Sequence, residues 1–380
     1  MTTLSHLECS CCRRRYEPGA ANAVCECGGV LLAQYDLELA RRSWSREWIR
    51  NGPASIWRYA PLLPVRQPSA LTSLGEGMTP LVEATRLGER LGLPLLWIKD
   101  EGVQPTGSLR DREMACAVSM ARELGRDQVA LSGEAEAAVS LAAYAAAAGI
   151  RAHIFLPTAA AQAAYTECIA YGAQVVVAGR DPASCAEALE QQAGRAGWRN
   201  LNPWREPFRL EGAKTLAFEL AEQFNWRWPD LIVCPVRTGA ILAGIWKGVE
   251  EMEALGWVAG ARPRLIAAYP GEQHPSHCAL PELASRAVEA SGGGVVIAHG
   301  ELIEPALEMA ALEGILPAVD AGACLVVLSQ LVAEGDLRHN ERIVVVNPAQ
   351  ARRHLECYAR RLPQPNHGPA SKPGGLITPR

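Results

Sequence analysis

The fold turns on GEGMTPLVEATRLGERLGLPLLWIKDEGVQPTGSLRDREM, residues 75–114. Within it LPLLWIKD (93–100) is a continuous apolar run that ends in charge, which predicts a strand buried on both faces. DREMACAVSMARELG, from Asp111, has the length and Ala content of a helix. Between them Pro105-Thr106-Gly107-Ser108 predicts a turn whose hydroxyls and backbone amides lead into the helix N-terminus. Such a turn has two readings: a helix cap, and an anion-facing site.

The same alternation continues toward the C-terminus. QVALSG (128–133), RAHIFLP (151–157), AQVVVAG (173–179), DLIVCPV (230–236), RLIAAYP (264–270) and RIVVVN (342–347) predict strands; EAAVSLAAYAAAAG (136–149) and EGAKTLAFELAEQF (211–224) predict helices. Continuous apolar strands separated by helices need parallel sheets covered on both faces, so the expected class is α/β. Ligands in such folds sit beyond the carboxyl ends of strands, here the loops at 101–112, 132–138, 236–242 and 347–350. Upstream, residues 37–80 mix Trp, Arg and Pro without a period and predict an arm wrapped around a core. Residues 362–380, rich in Pro and Gly, predict a disordered tail.

Composition narrows the function classes. The 380 residues are 49% hydrophobic and 21% charged, values of a globular chain rather than a disordered, collagenous or coiled-coil one. With 37 basic against 41 acidic residues the net charge is -4, so no global basic field exists for nucleic acid or an anionic membrane. The stretch from Ala135 to Ile150 is too short and interrupted to span a bilayer, and the first residues lack the apolar core of a signal peptide; a cytoplasmic location is expected. Only four basic residues are lysines: Lys99, Lys214, Lys247 and Lys372. Any chemistry that needs an amine has those four candidates.

Five of the twelve cysteines crowd between Cys9 and Cys27. Cys9-x2-Cys12 and Cys25-x-Cys27 offer two pairs of thiolates on tight turns, with Gly28-Gly29 relieving the backbone, as a four-thiolate structural zinc site in residues 1–36 would need. A cluster of free thiols is the other reading. Cys11 is spare in both.

The order of Cys ribbon, SIWRYAPLLPV (55–65), SLGEGMTPL (73–81), KDEGVQPTGSLRDR (99–112), EGAKTLAFELAEQ (211–223) and AGIWKGVEE (243–251) closely resembles the threonine synthase family, pyridoxal-phosphate enzymes of the tryptophan synthase β-like fold. The resemblance covers residues 7–350 and implies two α/β domains behind the ribbon: a large one from 37–120 and 218–361, and a small one from 121–217. It also implies a lyase that takes O-phosphohomoserine and water to L-threonine and phosphate.

This chain departs from the family pattern where the cofactor should be held. The family's PTGSFKDR carries the aldimine lysine; here Ser108 is kept but the lysine position is Arg110. A guanidinium stays protonated and offers no nucleophilic lone pair. The family's SGN loop reads Ser132-Gly133-Glu134, with Glu136 close behind. Its glycine-rich phosphate loop reads Pro235-Val236-Arg237-Thr238-Gly239-Ala240, and Pro348 stands where a Thr-Gly should meet the pyridine nitrogen. Four altered elements of one site imply a catalytically degenerate member, a pseudoenzyme that binds an anionic small molecule, a protein partner or a second copy of itself. An active pyridoxal-phosphate lyase with unusual residues is the alternative.

Arg110 and Arg237 bring positive charge to the cleft while Glu134 and Glu136 bring negative charge, which predicts that Arg110 pairs with one of the glutamates. Otherwise both acids face solvent from a helix N-terminus. Asp111 and Arg112 are expected to form an ion pair at the helix start. His274-Pro-Ser-His277-Cys278 reads as a surface loop rather than a metal site, Ser291-Gly292-Gly293-Gly294 as a flexible connection, and Trp226, Trp228, Trp246 and Trp257 as packing.

Overall fold

The computed structural model describes residues 2–19, 24–160, 162–271 and 280–362. The His274–Cys278 motif, Lys372 and all but the first residue of the expected tail lie outside them. No helix among the described residues is long and apolar enough to cross a membrane.

The chain opens with β1 (Leu4–Cys9), β2 (Arg15–Tyr16) and β3 (Leu31–Tyr35), an antiparallel sheet of order β2-β1-β3. Its Leu4, Leu7, Leu31 and Ala33 pack on Met120 and Phe208, so the ribbon is fastened to the body by apolar contacts. The arm is not simply extended: α1 (Leu37–Ser43) and α2 (Arg46–Arg50) are capped by Asp36 and Ser45, and Ile56–Leu62 forms a 3-10 turn. It does wrap a core, laying Trp44, Ile49, Tyr59 and Leu62 into the largest apolar cluster.

Then β4 (Leu81–Glu83), α3 (Thr85–Leu91) and β5 (Leu96–Asp100) lead into the PTGS turn and α4 (Arg110–Glu123). A four-stranded parallel sheet follows, built from β6 (Gln128–Ser132), α5 (Ala135–Ala148), β7 (Arg151–Leu156), α6 (Gln162–Ala170), β8 (Gln174–Val177), α7 (Pro182–Ala196) and β9 (Arg199–Asn200). Its strand order is β8-β7-β6-β9. The helices α8 (Arg209–Ala213) and α9 (Thr215–Gln223) return the chain to a six-stranded sheet completed by β10 (Leu231–Pro235), α10 (Ala240–Ala254), β11 (Arg264–Pro270), α11 (Glu282–Ala290), β12 (Gly294–Ala298), α12 (Ile303–Glu313), α13 (Val319–Glu334) and β13 (Ile343–Asn347); α14 (Leu355–Ala359) follows. That sheet runs β12-β11-β10-β13-β5-β4, parallel except for β4. The expected α/β class is therefore what forms.

Two expectations change. The stretch at 211–224 breaks into α8 and α9 at Lys214, and Gly212 lies so close to α4 that a Cβ would sit 1.9 Å from the Arg112 carbonyl oxygen. Likewise 291–294 is no loose connection: a Cβ on Gly293 would come within 1.9 Å of the Leu265 carbonyl oxygen, so the turn is pressed against β11. The tryptophans pack as expected, with Trp226, Trp228 and Trp246 buried and Trp257 partly so.

Candidate functional site

The carboxyl ends of β6, β10 and β13 and the N-termini of α4, α5 and α10 converge on one cleft. Eight of the eleven residues expected there line a single cavity: Ser108, Arg110, Glu134, Glu136, Arg237, Thr238, Gly239 and Pro348. Ser132, Gly133 and Ala240 stand behind it. Ser132 holds Asn202 at 2.8 Å through both its amide and its hydroxyl, Gly133 turns with φ +96° into α5, and Ala240 opens α10.

Arg110 fills the centre. Its Nη2 donates to Glu134 Oε1 at 2.7 Å, the pairing that charge compensation predicts, and its Nη1 donates to Glu113 Oε1 at 2.5 Å. Glu113, one turn along α4, also accepts from Arg209 Nε at 2.7 Å. Burial works to lower the pKa of Arg110, but Glu113, Glu134 and Glu136 hold it above the ordinary guanidinium value. Burial likewise works against ionising Glu113, and the two arginines win.

Glu136 takes a different partner, His354 at 3.4 Å. Despite burial, the His354 contact and the nearby Arg237 draw its pKa down to about 2. Arg237 grips Asp320 with Nε and Nη2 at 2.7 and 3.0 Å, and its Nη1 has no hydrogen-bond partner among the described residues. Asp111 and Arg112 do not pair with each other. Asp111 accepts from the Thr106 amide and hydroxyl and from Ser140, burial raising its pKa to about 6, whereas Arg112 turns to Glu101 and Glu219. The PTGS turn is thus fastened to α4 through the helix's own aspartate.

Sequence reasoning missed Glu113, Arg209, Asp320 and His354. A signal existed only for Glu113, three residues after Arg110 on one helix; the others arrive from distant segments.

The pyridoxal phosphate that the resemblance implies does not fit this cleft as the side chains stand. The cavity is about 40 Å³, room for a few waters and far below the ~300 Å³ at the low end of small-molecule sites. Pro348 spends its carbonyl on the Leu109 amide and has no donor for a ring nitrogen. None of the described lysines lines the cavity: Lys99 is bound to Glu219, and Lys214 and Lys247 to Glu211 and Glu251. Beyond the Arg237–Asp320 pair a second cleft of about 760 Å³ opens, lined by those two residues, by Glu301, and by Val236, Tyr269 and Val319.

In the ribbon the Sγ atoms of Cys9, Cys12, Cys25 and Cys27 all lie within 4.8 Å of one another, with Cys9–Cys27 and Cys12–Cys25 at 3.5 Å. A tetrahedron of ~2.3 Å zinc–sulfur bonds has sulfurs ~3.8 Å apart, so the set fits a single ion. Amides of Cys11 and Cys12 point at Cys9 Sγ, and a Cβ on Gly29 would meet that sulfur at 2.6 Å. Cys11 is outside the set. Arg13 and Arg15 pair with Glu8, and Arg14 with Glu26.

Residues 72–349 match the pyridoxal-phosphate dependent enzyme family. Threonine synthase from Methanocaldococcus jannaschii is 31% identical over 386 residues, spanning 94% of this chain and 95% of that one. The Methanosarcina acetivorans threonine synthase is 30% identical over 90% of both. Among solved structures, threonine deaminase isoform 2 from Solanum lycopersicum superposes with a TM-score of 0.63 at 18% identity, covering 82% of this chain and 95% of that one. Maize serine racemase gives 0.60 at 18% identity over 74% and 93%; these two likenesses speak to the fold alone. By the relatives' identity across nearly their full length, the chain belongs to the threonine synthase-like family of pyridoxal-phosphate-dependent enzymes.

Proposed function

We propose that this chain is a catalytically degenerate member of its family, a cytoplasmic pseudoenzyme that works by binding rather than by making threonine. The observation that carries the reading is Arg110: it stands in the aldimine lysine's place, and its guanidinium is tied to Glu113 and Glu134 across the space a pyridine ring would need. A guanidinium cannot condense with an aldehyde as an amine does. What supports a small anionic ligand is the open donor face of Arg237 beside the 760 Å³ cleft.

Absorbance of the purified protein with added pyridoxal phosphate, before and after borohydride, tests this. We expect a colourless protein, no pyridoxyl adduct and no threonine from O-phosphohomoserine. A borohydride-stable adduct mapped to Lys99, Lys214 or Lys247 would instead support the alternative, an active lyase with unusual site residues.

The ribbon completes the proposal with one structural zinc on Cys9, Cys12, Cys25 and Cys27. Four thiolates leave no open position for water, so the ion's role is to hold the turns together. Metal analysis should return ~1 zinc per chain, and chelation should free these thiols while loosening the ribbon. Less than about half an equivalent in carefully prepared protein counts against it.

A further inference from the structure

The segment after β13 joins the two sheets across the cleft. Its root is stitched to the PTGS turn: Leu109 donates to the Pro348 carbonyl and Gln350 to the Gly107 carbonyl, both at 2.9 Å, and Ser108 bridges to Ala349. Ala351–His354 then forms a 3-10 turn that leads into α14. Ala351 and Tyr358 are buried against Ala306 of α12, and the Tyr358 hydroxyl donates to the Pro317 carbonyl at 2.8 Å. On the side of the six-stranded sheet, therefore, the segment is anchored by apolar packing. Its grip on the four-stranded sheet is of another kind. Arg353 Nη2 donates to Glu167 Oε2 of α6 at 2.7 Å and to the Thr106 carbonyl at 3.1 Å, and His354 Nε2 lies 3.4 Å from Glu136 Oε1 at the start of α5. The Arg353 side chain is 2% exposed, yet its Nε and Nη1, and Glu167 Oε1 opposite, have no partner among the described residues.

We propose that Ala351–His354 is a clasp that holds the cleft shut. Fastened, it keeps α5 and α6 over the cavity; released, α5 and α6 swing away from it, carrying Glu134 and Glu136, and uncover Arg110. The two kinds of attachment decide which side lets go. Apolar surfaces lose their contact energy when water enters between them, whereas the partners of an ion pair both regain hydration as they part. A buried pair with donors and an acceptor left unmade regains the most, because those groups gain bonds that they lack when fastened. Glu136 couples clasp to cavity, since it meets His354 and also lines the cavity wall. The clasp operates whether or not the cleft takes pyridoxal phosphate.

The test is modification of the full chain by phenylglyoxal, an arginine reagent, with each arginine's rate followed by mass spectrometry. The exposed Arg352 and Arg361 supply the reference rate, and the buried Arg112 and Arg209 report global unfolding. Glu167→Gln leaves the Arg353 charge buried without its counter-ion and so favours release. Arg353 should then react at least about tenfold faster, and Arg110 should speed up with it while Arg112 and Arg209 stay slow. Glu136→Gln should act in the same direction by a smaller factor. Asp127→Asn, which loses an exposed pair with Arg151 beside the same sheet, should change neither rate. An Arg353 rate unchanged by Glu167→Gln and by Glu136→Gln overturns the proposal. So does an Arg353 that speeds up alone, which would confine release to one side chain, or one that speeds up only in step with Arg112 and Arg209, which would make it unfolding.

Discussion

Two arginines on the first turn of α4 enter two unlike networks. Arg112 has no exposed side-chain surface and meets Glu101 at 2.7 and 2.8 Å and Glu219 at 2.5 and 2.8 Å, with Thr79 and Thr215 hydroxyls at 3.2 and 3.1 Å. Lys99 closes that set, donating to Glu219, Gln223 and the Thr79 carbonyl. Around Arg110 the set stays open: Glu134 Oε2 and Thr238 Oγ1 are buried without a partner among the described residues. The first network ties β5, α4 and α9 to the arm and owes nothing to the cleft's contents. The second is assembled from the ends of separate helices, and it leaves buried polar atoms unpaired where the first, among the described residues, leaves none.

The comparison breaks first at Arg112. Arg112→Met should cost at least ~3–5 kcal/mol, because two buried glutamates lose their main partner at once; the denaturant midpoint reads it. Arg110→Ala should cost less, about 2–3 kcal/mol, since Glu113 keeps Arg209 and the Glu134 side chain as a whole retains 19% of its surface exposed, against none for Glu101 and Glu219. Equal losses from the two substitutions would erase the distinction between scaffold and cleft. A double-mutant cycle of Arg110→Ala with Glu134→Ala sharpens it, and a coupling of about 1 kcal/mol or more is expected for a pair this close.

Both networks were unevenly legible in the sequence. Strands such as β10 and β13 announce themselves because both faces are buried, leaving Leu231–Pro235 and Ile343–Asn347 without a polar interruption until their ends. β4 and β9, of three and two residues, are too short for any period to show. The cleft's departures were readable because each falls inside a motif. Their partners were not, because Asp320 and His354 lie far along the chain from Arg237 and Glu136. Patterning also gave no warning that the first four residues of α4, Arg-Asp-Arg-Glu, are all buried. A charged first turn usually faces water, and only tertiary pairing reverses that.

The last comparison lies in acid. Glu136 has a folded pKa of about 2 against an ordinary 4.5, set by the balance of burial, His354 and Arg237. Its contribution is complete above pH 4.5 and is lost as pH falls toward 2, because the unfolded chain binds the proton first. Between ~pH 5 and ~pH 3 that loss comes to about 2 kcal/mol. Asp111 has the opposite sign: burial raises it to about 6 from 3.8, so the folded state binds its proton first and gains stability as pH falls through that interval. Urea midpoints across this range should therefore rise and then fall. Glu136→Gln should shrink the fall and leave the rise, whereas Asp111→Asn should remove the rise and leave the fall. A fall unchanged in Glu136→Gln would assign the acid limb to the other network, where Glu219 is also held at about 2, against its burial, by Arg112 and Lys99, and the cleft would then be the more acid-tolerant of the two.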